Sequence, residues 1–550
     1  MFKINLQYNK GFKWNNSENI HSKGYLFDEK DNLYQGQNLN LYFNCISEDV
    51  FRNKIKLANG SFAVITENKN TLLVAVDRLR SIPLFYSLKN NIFYLSDNAY
   101  WIKDKLALKE LDKISEQEFL LTGYVTGKDT LFSEIKQIQA GEFLIVKEAN
   151  NKITIKINRY YRYLHKDFFT ESKEELFNKL DKVSENIIKR LINSVNKRTI
   201  IIPLSGGYDS RYIVTMLKKL NYKNVICFSY GKKGNWESEI SKKVASKLGY
   251  KWYFIEYTKN KWRDWFNSSE WKKYLKYGNN LTSLAHLQDW PAVWELKKNR
   301  KIPNDAVFVP GHSGDLLGGS WTPKPLDISK NNYNISNVFD YLFKKHYCLF
   351  KLKDKREKDL FLKKVKKGLN ELEISDAESF VSLCECWNIA NRQAKFIVNS
   401  VRAYEFFGYK WRIPLWDSEL IDFWARVPLK FRINKELYDD YFFGRLFSVF
   451  DISFKKNSDK NIKYILKKVI KRNNFLLRVA KLIKIYFIDY FNHPMSWYGI
   501  VNYYNYLYTI SLGGNINSLL AKNTLKELKK VPREDKREKD KYLNKFCHLY

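Results

Sequence analysis

The chain has 550 residues, 45% of them hydrophobic, which is enough for two globular domains with sizeable cores and an extension. Its net charge of +36 would ordinarily indicate a polyanionic partner, but the basic residues are spread along the chain, so we expect no nucleic-acid partner. Six cysteines without a pairing pattern and the lack of an apolar run of ~18 residues argue against a disulfide scaffold and a transmembrane helix, so we expect a cytoplasmic protein.

The first third of the chain alternates short strand-like runs with turns rich in Asn, Lys and Asp. This alternation is typical of a packed two-layer sheet. The runs are Gly60–Val64, Val76–Arg78, Ile82–Tyr86, Leu95–Asp97, Thr130–Phe132 and Ala140–Val146.

A different pattern begins with the apolar run Ile200–Leu204, which leads through Ser205, Gly206 and Gly207 into a helical pattern over Arg211–Leu220. Glycines at a strand-to-helix turn let the backbone approach a ligand closely, and the first N–H groups of the helix suit a pyrophosphate. Asp209 supplies a carboxylate for Mg²⁺. An ordinary strand-to-helix turn explains the same residues without any ligand.

Three later strands follow in order: one ending at Phe228–Gly231, then Tyr253–Ile255 and Ala306–Val309. The last of them enters a second glycine-rich loop, Pro310–Gly319, and a further distinctive segment is Gly408–Asp417. Strands that alternate with helical patterns predict a parallel sheet.

Together these segments resemble the asparagine synthetase family over roughly residues 50 to 450. Leu204–Ser210 is similar to the pyrophosphate loop of ATP pyrophosphatases, Pro310–Gly319 to the family's SGEGxDExxGG loop, and Gly408–Asp417 to its GxExRxPFLD segment. The runs of the first third resemble the family's glutamine amidotransferase domain. The resemblance implies an α/β protein, with a two-layer amidotransferase-like α+β domain followed by an adenine-nucleotide α-hydrolase-like (PP-loop) parallel-sheet domain. The expected boundaries are 1–165, 175–450 and a basic helical extension over 451–550.

The resemblance also implies a reaction and its residues. A carboxylate attacks ATP, pyrophosphate leaves, and ammonia or an amine displaces AMP from the acyl-adenylate, with Mg²⁺ held by Asp209 and Asp315. The residues implied to bind the nucleotide are Leu204, Ser205, Gly206, Gly207, Asp209, Ser210, Tyr230 and Gly311. The candidate catalytic residues are His312, Lys410 and Arg412.

The sequence departs from the family at several of these positions. His312, Leu316 and Lys410 stand where the family has three acidic residues. His312 is therefore a candidate proton acceptor and Lys410 a candidate counter-charge for an anion. The alternative is that the acceptor site has decayed. Arg412 is either a cation for the reaction or a brace that pairs with Asp417. No N-terminal cysteine is found and Cys45 lies in an apolar run, which indicates a buried thiol and a shortened domain without glutaminase activity.

The leading hypothesis is therefore an asparagine synthetase-like ligase whose nitrogen comes from outside the chain, with a separate glutaminase as one source. Aspartate is the family's usual carboxylate; amidation of a sugar acid for a surface polysaccharide and lasso-peptide-type macrocyclisation stay open. An RNA-modifying PP-loop ATPase and a non-catalytic binding protein are the alternatives from other classes. The basic stretch Lys455–Lys484 is either a helix packed on its own domain or an amphipathic segment on a membrane surface.

Overall fold

A computed structural model describes residues 1–44, 47–324, 333–350, 352, 355–369, 372–454, 479, 482–491, 493–511, 514 and 516–529. The prediction for Cys45 and most of the prediction for Lys455–Lys484 lie outside the described residues.

The N-terminal part consists of two facing β-sheets. One contains β1 (Phe2–Asn5), β7 (Phe85–Lys89), β8 (Ile92–Ser96) and β9 (Lys136–Gln137) in the order β1-β8-β7-β9. The other sheet contains β2 (Asn15–Asn16), β3 (Ile20–Phe27), β4 (Leu33–Gln35), β5 (Asn59–Asn68), β6 (Thr71–Val76), β10 (Glu142–Ala149) and β11 (Lys152–Arg159). Its strand order is β11-β10-β6-β5-β3-β2, and β4 pairs with β3.

Apolar side chains from both sheets meet in a single core, where Phe93 and Leu95 of one sheet share a cluster with Val74 and Leu144 of the other. Helices cover the outer faces: α1 (Asn38–Tyr42) and α2 (Glu48–Leu57) on one side, α3 (Ala99–Lys105) and α4 (Lys113–Thr122) on the other. The predicted two-layer architecture of this part is confirmed.

The second part is a parallel sheet in the order β14-β13-β12-β15-β16. Its strands are β12 (Ile200–Pro203), β13 (Val225–Gly231), β14 (Lys251–Glu256), β15 (Val307–Phe308) and β16 (Lys410–Trp411). All four neighbouring pairs are parallel, so the loops that follow the strands gather at one edge of the sheet. The predicted α/β fold with a parallel-sheet domain is confirmed.

Helices surround this sheet. They are α5 (Lys173–Val195), α6 (Tyr208–Lys219), α7 (Trp236–Leu248), α8 (Lys259–Asn267), α9 (Ser269–Asn279), α10 (Trp290–Lys298) and α11 (Gly314–Leu317). Ser172 and Glu175 form a capping box that fixes the start of the long helix α5. The helix α6 begins at Tyr208, three residues before the predicted start, because Gly207 takes the N-cap position.

Most of the remaining secondary structure in the described chain is helical. Its helices are Ile335–His346, Lys355–Leu369, Ala377–Asn388, Arg402–Phe406, Ser418–Arg426, Leu429–Arg432, Glu436–Asp440, Asp489–Phe491, Pro494–Trp497, Tyr503–Ser511 and Ile516–Lys529. A π-helical stretch, Ile389–Ile397, continues the helix that ends at Asn388. Within the described ranges, no helix combines the length and hydropathy required to cross a membrane.

Candidate active site

The loop after β12 is held in shape by its own serines. The backbone N–H of Ser205 donates to the Ser210 hydroxyl at 3.1 Å, and the N–H of Gly207 donates to the Ser205 hydroxyl at 3.1 Å. The next N–H groups belong to the first turn of α6, where no intrahelical acceptor exists. The loop therefore presents backbone donors at a helix N-terminus, as a bound phosphate requires.

Two carboxylates meet at this loop. Asp209 accepts a 3.1 Å hydrogen bond from the backbone N–H of Asp315 and another from the Tyr438 hydroxyl. Burial, with the neighbouring charge of Asp315, raises the pKa of Asp209 to about 7. A pair of carboxylates that repel each other in this way is a favourable setting for a divalent cation.

Glycines let the second loop touch the first. A Cβ on Gly311 would lie 2.4 Å from the backbone nitrogen of Ser210, and a Cβ on Gly314 would lie 2.9 Å from Cγ of Asp209. Both loops are thus in backbone contact, which brings Asp315, on the short helix α11, to Asp209. The predicted nucleotide and metal residues of the two loops are brought together.

His312 lies on the second loop in a setting rich in polar groups. Its ring nitrogens are 3.0 and 3.2 Å from the Ser400 hydroxyl, which donates its own hydrogen to the carbonyl of Ile397 at 2.6 Å. The imidazole is therefore the donor to Ser400. Burial lowers the pKa of His312 to about 4, against the opposing charge of Asp289, so the ring is neutral at physiological pH.

Asp289 and Tyr230 form a buried network beside His312. The hydroxyls of Tyr230 and Tyr404 both donate to the Asp289 carboxylate, and His286 Nε2 lies 3.7 Å from it. Although burial alone would raise the pKa of Asp289, the hydrogen bonds and charge around it, first those of His286, lower it to about 2. The hydroxyl of Tyr230, a predicted nucleotide contact, is thus used within the protein, and its ring packs 5.1 Å from that of Tyr257.

The structure does not bring Lys410 to the loops. The strand register places Lys410 beside Val307, and Val307 beside Ile200, the first residue of β12. The loop begins at Leu204, four residues further along the chain and about 13 Å away in the strand direction. Burial and the nearby cations Arg198, Arg412 and Lys13 lower the pKa of Lys410 to about 8.

Arg412 also lies away from the loops, at the contact between the two parts of the chain. Its guanidinium donates to the hydroxyl and carbonyl oxygens of Ser194 at 2.8 and 3.0 Å and to Gln35 Oε1 at 3.0 Å. It also stacks on the Tyr25 ring at 3.9 Å. The predicted alternative pair with Asp417 is not formed, because Arg190 takes that carboxylate through bonds of 2.8 and 2.9 Å.

Three residues of the site had no signal in the sequence analysis: Tyr438, Lys435 and Asp289. Tyr438 and Lys435 come from a helical region more than 100 residues beyond the loops, and Lys435 is near enough for its charge to lower the pKa of Asp209. None of the three stands in a glycine-rich loop or a spaced motif, so only the tertiary contacts reveal them.

The backbone donors and the two carboxylates of the loops are the kinds of group that hold a phosphate and Mg²⁺. In the part of the chain that the structure describes, no cluster of three or more His, Cys, Asp or Glu residues suits a metal. Two carboxylates beside a phosphate loop match Mg²⁺, which takes one or two protein carboxylates and completes its shell with phosphate oxygens and water.

Comparisons with known proteins agree with this architecture. Residues 48–161 match the model of a glutamine amidotransferase domain, and residues 187–474 match that of asparagine synthase. Asparagine synthetase [glutamine-hydrolyzing] 1 of Bacillus subtilis is 26% identical over 200 residues, which are 34% of this chain and 30% of that protein. The match thus spans less than a third of the curated relative's length.

Solved structures give weaker likenesses. The NH3-dependent NAD synthetase of Campylobacter jejuni has a TM-score of 0.21 at 11% identity, over 41% of this chain and 96% of its own. The glutamine PRPP amidotransferase of B. subtilis has a TM-score of 0.19 at 9% identity, over 45% of this chain and 74% of its own. The family assignment therefore rests on the asparagine synthase match, which covers more than half of the chain. On that match, the chain belongs to the asparagine synthase family.

Proposed function

We propose that this protein amidates a carboxylate at the expense of ATP, through an acyl-adenylate. The observation that supports this most directly is the contact of Asp209 and Asp315 beneath the glycine-rich phosphate loop. A carboxylate oxygen of the substrate attacks the α-phosphorus of ATP and pyrophosphate leaves. Ammonia or an amine then attacks the acyl carbon, AMP leaves with the electron pair of the broken C–O bond, and the nitrogen loses a proton.

The loop residues have distinct tasks in the first step. Backbone N–H groups at the start of α6 hold the departing pyrophosphate, and Ser205 and Ser210 keep the loop in the shape that aims them. Asp209 and Asp315 would hold Mg²⁺, which supplies positive charge to the phosphates. Tyr438 keeps the Asp209 carboxylate oriented through its hydroxyl.

His312 is the proposed residue for the second step. It replaces an acidic residue of the family's loop and is neutral above about pH 5, since its pKa is about 4. A neutral imidazole can take the proton that the attacking nitrogen loses, although so low a pKa makes it a weak base. Lys410 and Arg412 are predicted catalytic residues that the geometry does not support, because they lie away from both loops.

We also propose that the nitrogen comes from outside the chain. Buried side chains fill the contact between the amidotransferase-like part and the synthase part. There Nζ of Lys23, 1% exposed, lies 4.0 Å from the carboxylate of Glu405, 0% exposed. The only cysteine of residues 1–165 is Cys45. Ammonium should therefore serve as donor where glutamine does not, and amide formed from glutamine as efficiently would contradict this.

The experiment is an assay of AMP and pyrophosphate release by the purified full chain with ATP, Mg²⁺, ammonium and a panel of carboxylates. The panel holds aspartate, uronic acids and acidic peptides, so that the same assay identifies the substrate class. Asp209→Asn and Asp315→Asn should each abolish AMP formation, while Asp264→Asn, an exposed carboxylate on α8, should leave it unchanged. Full activity of either loop variant would refute the proposed chemistry.

A further inference from the structure

An arginine next to the site has no counter-ion among the residues that the structure describes. Arg392 belongs to the π-helical stretch Ile389–Ile397, and its guanidinium stacks on the Trp321 ring at 4.5 Å and lies 5.9 Å from that of Phe396. Across the described ranges, no carboxylate forms an ion pair with Arg392 and no group accepts a hydrogen bond from its guanidinium. Five N–H donors of a half-buried guanidinium are thus left for something else.

A cation in this position is costly without an anion. Burial lowers the pKa of Arg392, and the charges of Tyr124 and Asp315 oppose that shift. Removing a charge from water is unfavourable unless an opposite charge or hydrogen-bond acceptors replace the water. Stacking on Trp321 compensates only part of this cost.

The backbone ties Arg392 to the second loop. Its neighbour Gln393, 2% exposed, accepts a 2.6 Å hydrogen bond from the Ser313 hydroxyl, and Ser313 adjoins the helix that carries Asp315. Trp321 directly follows this loop in the chain. The preceding residue, Ser320, is fixed to the loop because its backbone N–H donates to the Asp315 carbonyl at 2.9 Å. π-helical turns often mark functional sites, since they re-aim one side chain of a helix.

A second cation borders the same ring. Lys345 Nζ lies 5.8 Å from the centroid of Trp321 and 5.8 Å from that of Tyr341. Lys345 is exposed, and among the described residues it has no ion-pair partner. Arg392 and Lys345 therefore border one aromatic ring beside the loop, with Arg392 the nearer and more buried of the two.

From these contacts we infer that Arg392, assisted by Lys345, forms an anion site that binds a second anionic group of the acyl substrate, separate from the carboxyl group that is activated. This inference rests on the proposed amidation and defines its substrate class as acids with two anionic groups. The planar guanidinium matches a carboxylate or a phosphate through two parallel hydrogen bonds.

The test is carboxylate-dependent exchange of pyrophosphate into ATP by the full chain, with matched pairs of substrates. Aspartate and isoasparagine form one pair, glucuronic acid 1-phosphate and glucuronic acid another; within each pair only the second anionic group differs. The wild-type protein should prefer the doubly anionic member of at least one pair. Arg392→Gln should lower kcat/KM for that member by roughly 10- to 100-fold and leave the other member within about threefold. The kcat/KM of Arg392→Lys for the doubly anionic member should lie between those of the wild type and Arg392→Gln. Arg263→Gln, on the exposed surface of α8, is the control.

Two results would overturn the inference: no wild-type preference within any pair, or an equal loss for both members in Arg392→Gln. If no acid supports exchange, the proposed amidation fails while the anion site is still testable. Calorimetric titration of the same acids into wild-type protein and Arg392→Gln then decides: binding that needs Arg392 supports the site, and binding that is absent or unchanged refutes it.

Discussion

At the scale of single residues, the site depends on how Asp209 is kept ionised. Burial and Asp315 push its pKa up to about 7, and the Tyr438 hydroxyl pushes it down. In the proposed reaction a proton and Mg²⁺ would compete for this carboxylate, so the hydrogen bond from Tyr438 would set how much Mg²⁺ is needed near neutral pH.

Tyr438→Phe tests that balance. Loss of the hydroxyl raises the pKa of Asp209, so the acid limb of Mg²⁺-dependent AMP formation should move to higher pH by roughly half to one unit. The apparent KM for Mg²⁺ at pH 7 should rise in the same variant. Tyr441→Phe is the matched control, because that hydroxyl donates to Asp181 at 2.8 Å rather than to the loop. A pH profile identical to that of the wild type would show that Tyr438 has no part in this balance.

The same carboxylate predicts how the metal-free protein responds to pH. The folded pKa of about 7 exceeds the ordinary value of 3.8, so the folded state holds the proton more tightly than the unfolded chain. This stabilisation is complete below about pH 4 and is lost as the pH rises through 7. As the pH rises from 4 to 7.5, the free energy of unfolding of the wild type should fall by about 2–4 kcal/mol more than that of Asp209→Asn, which has no carboxylate to ionise at this position.

Urea unfolding in EDTA at several pH values measures this difference. Mg²⁺ with pyrophosphate should restore the stability of the wild type at pH 7.5 and have little effect on Asp209→Asn. Parallel pH dependences of the two proteins without metal would contradict the raised pKa.

At the scale of elements, the two loops are in contact because Gly311 has no Cβ to hold the backbone of Ser210 away. Gly311→Ala would place a methyl group 2.4 Å from the nitrogen of Ser210, and backbone atoms on both sides leave little room to yield. We expect a loss of roughly 1–3 kcal/mol in the free energy of unfolding. A shift of about 1 Å between the loops would reduce AMP formation about 100-fold.

Gly368→Ala is the control for this change. Gly368 lies inside the helix Lys355–Leu369, where an added Cβ meets nothing within 4 Å. That variant should gain up to about 1 kcal/mol, since alanine favours a helix over glycine, with unchanged activity. Thermal unfolding and AMP release measure both variants, and an active Gly311→Ala would show that the loops do not need their contact.

The elements differ in how far the sequence predicts them. The strands that end at Pro203, Gly231 and Glu256 are apolar runs closed by turn residues, and local pattern is sufficient for them. The strand Lys410–Trp411 has two residues, too short for any period, so the position of Lys410 at its start could not be predicted. The π-helical stretch has no propensity signature either, and the orientation of Arg392 follows from packing alone.

At the scale of the whole molecule, buried polar side chains join the two parts of the chain. Arg190 on α5 bonds Asp417 and reaches Asp31 of the N-terminal part at 3.1 Å, and Arg412 reaches Gln35. From the family's motif, Arg412 is expected to be either a cation for the reaction or a brace that pairs with Asp417. In the structure, Arg412 bonds Ser194 and Gln35, which are more than 200 residues away in the sequence, and so helps to join the two parts of the chain. No local sequence pattern encodes contacts of this kind.

Arg412→Met separates these two roles. Methionine keeps the apolar contact with Tyr25 but leaves the buried oxygens of Ser194 and Gln35 without their donor, and each such loss costs about 1–3 kcal/mol. We expect the free energy of unfolding to fall by about 2–4 kcal/mol, while the rate of AMP formation well below the melting temperature stays within about threefold of the wild-type rate. Calorimetry and AMP release on the same preparation provide both numbers. If AMP formation instead slowed by about 100-fold or more in a protein of unchanged stability, Arg412 would belong to the reaction and the interdomain contact would be secondary.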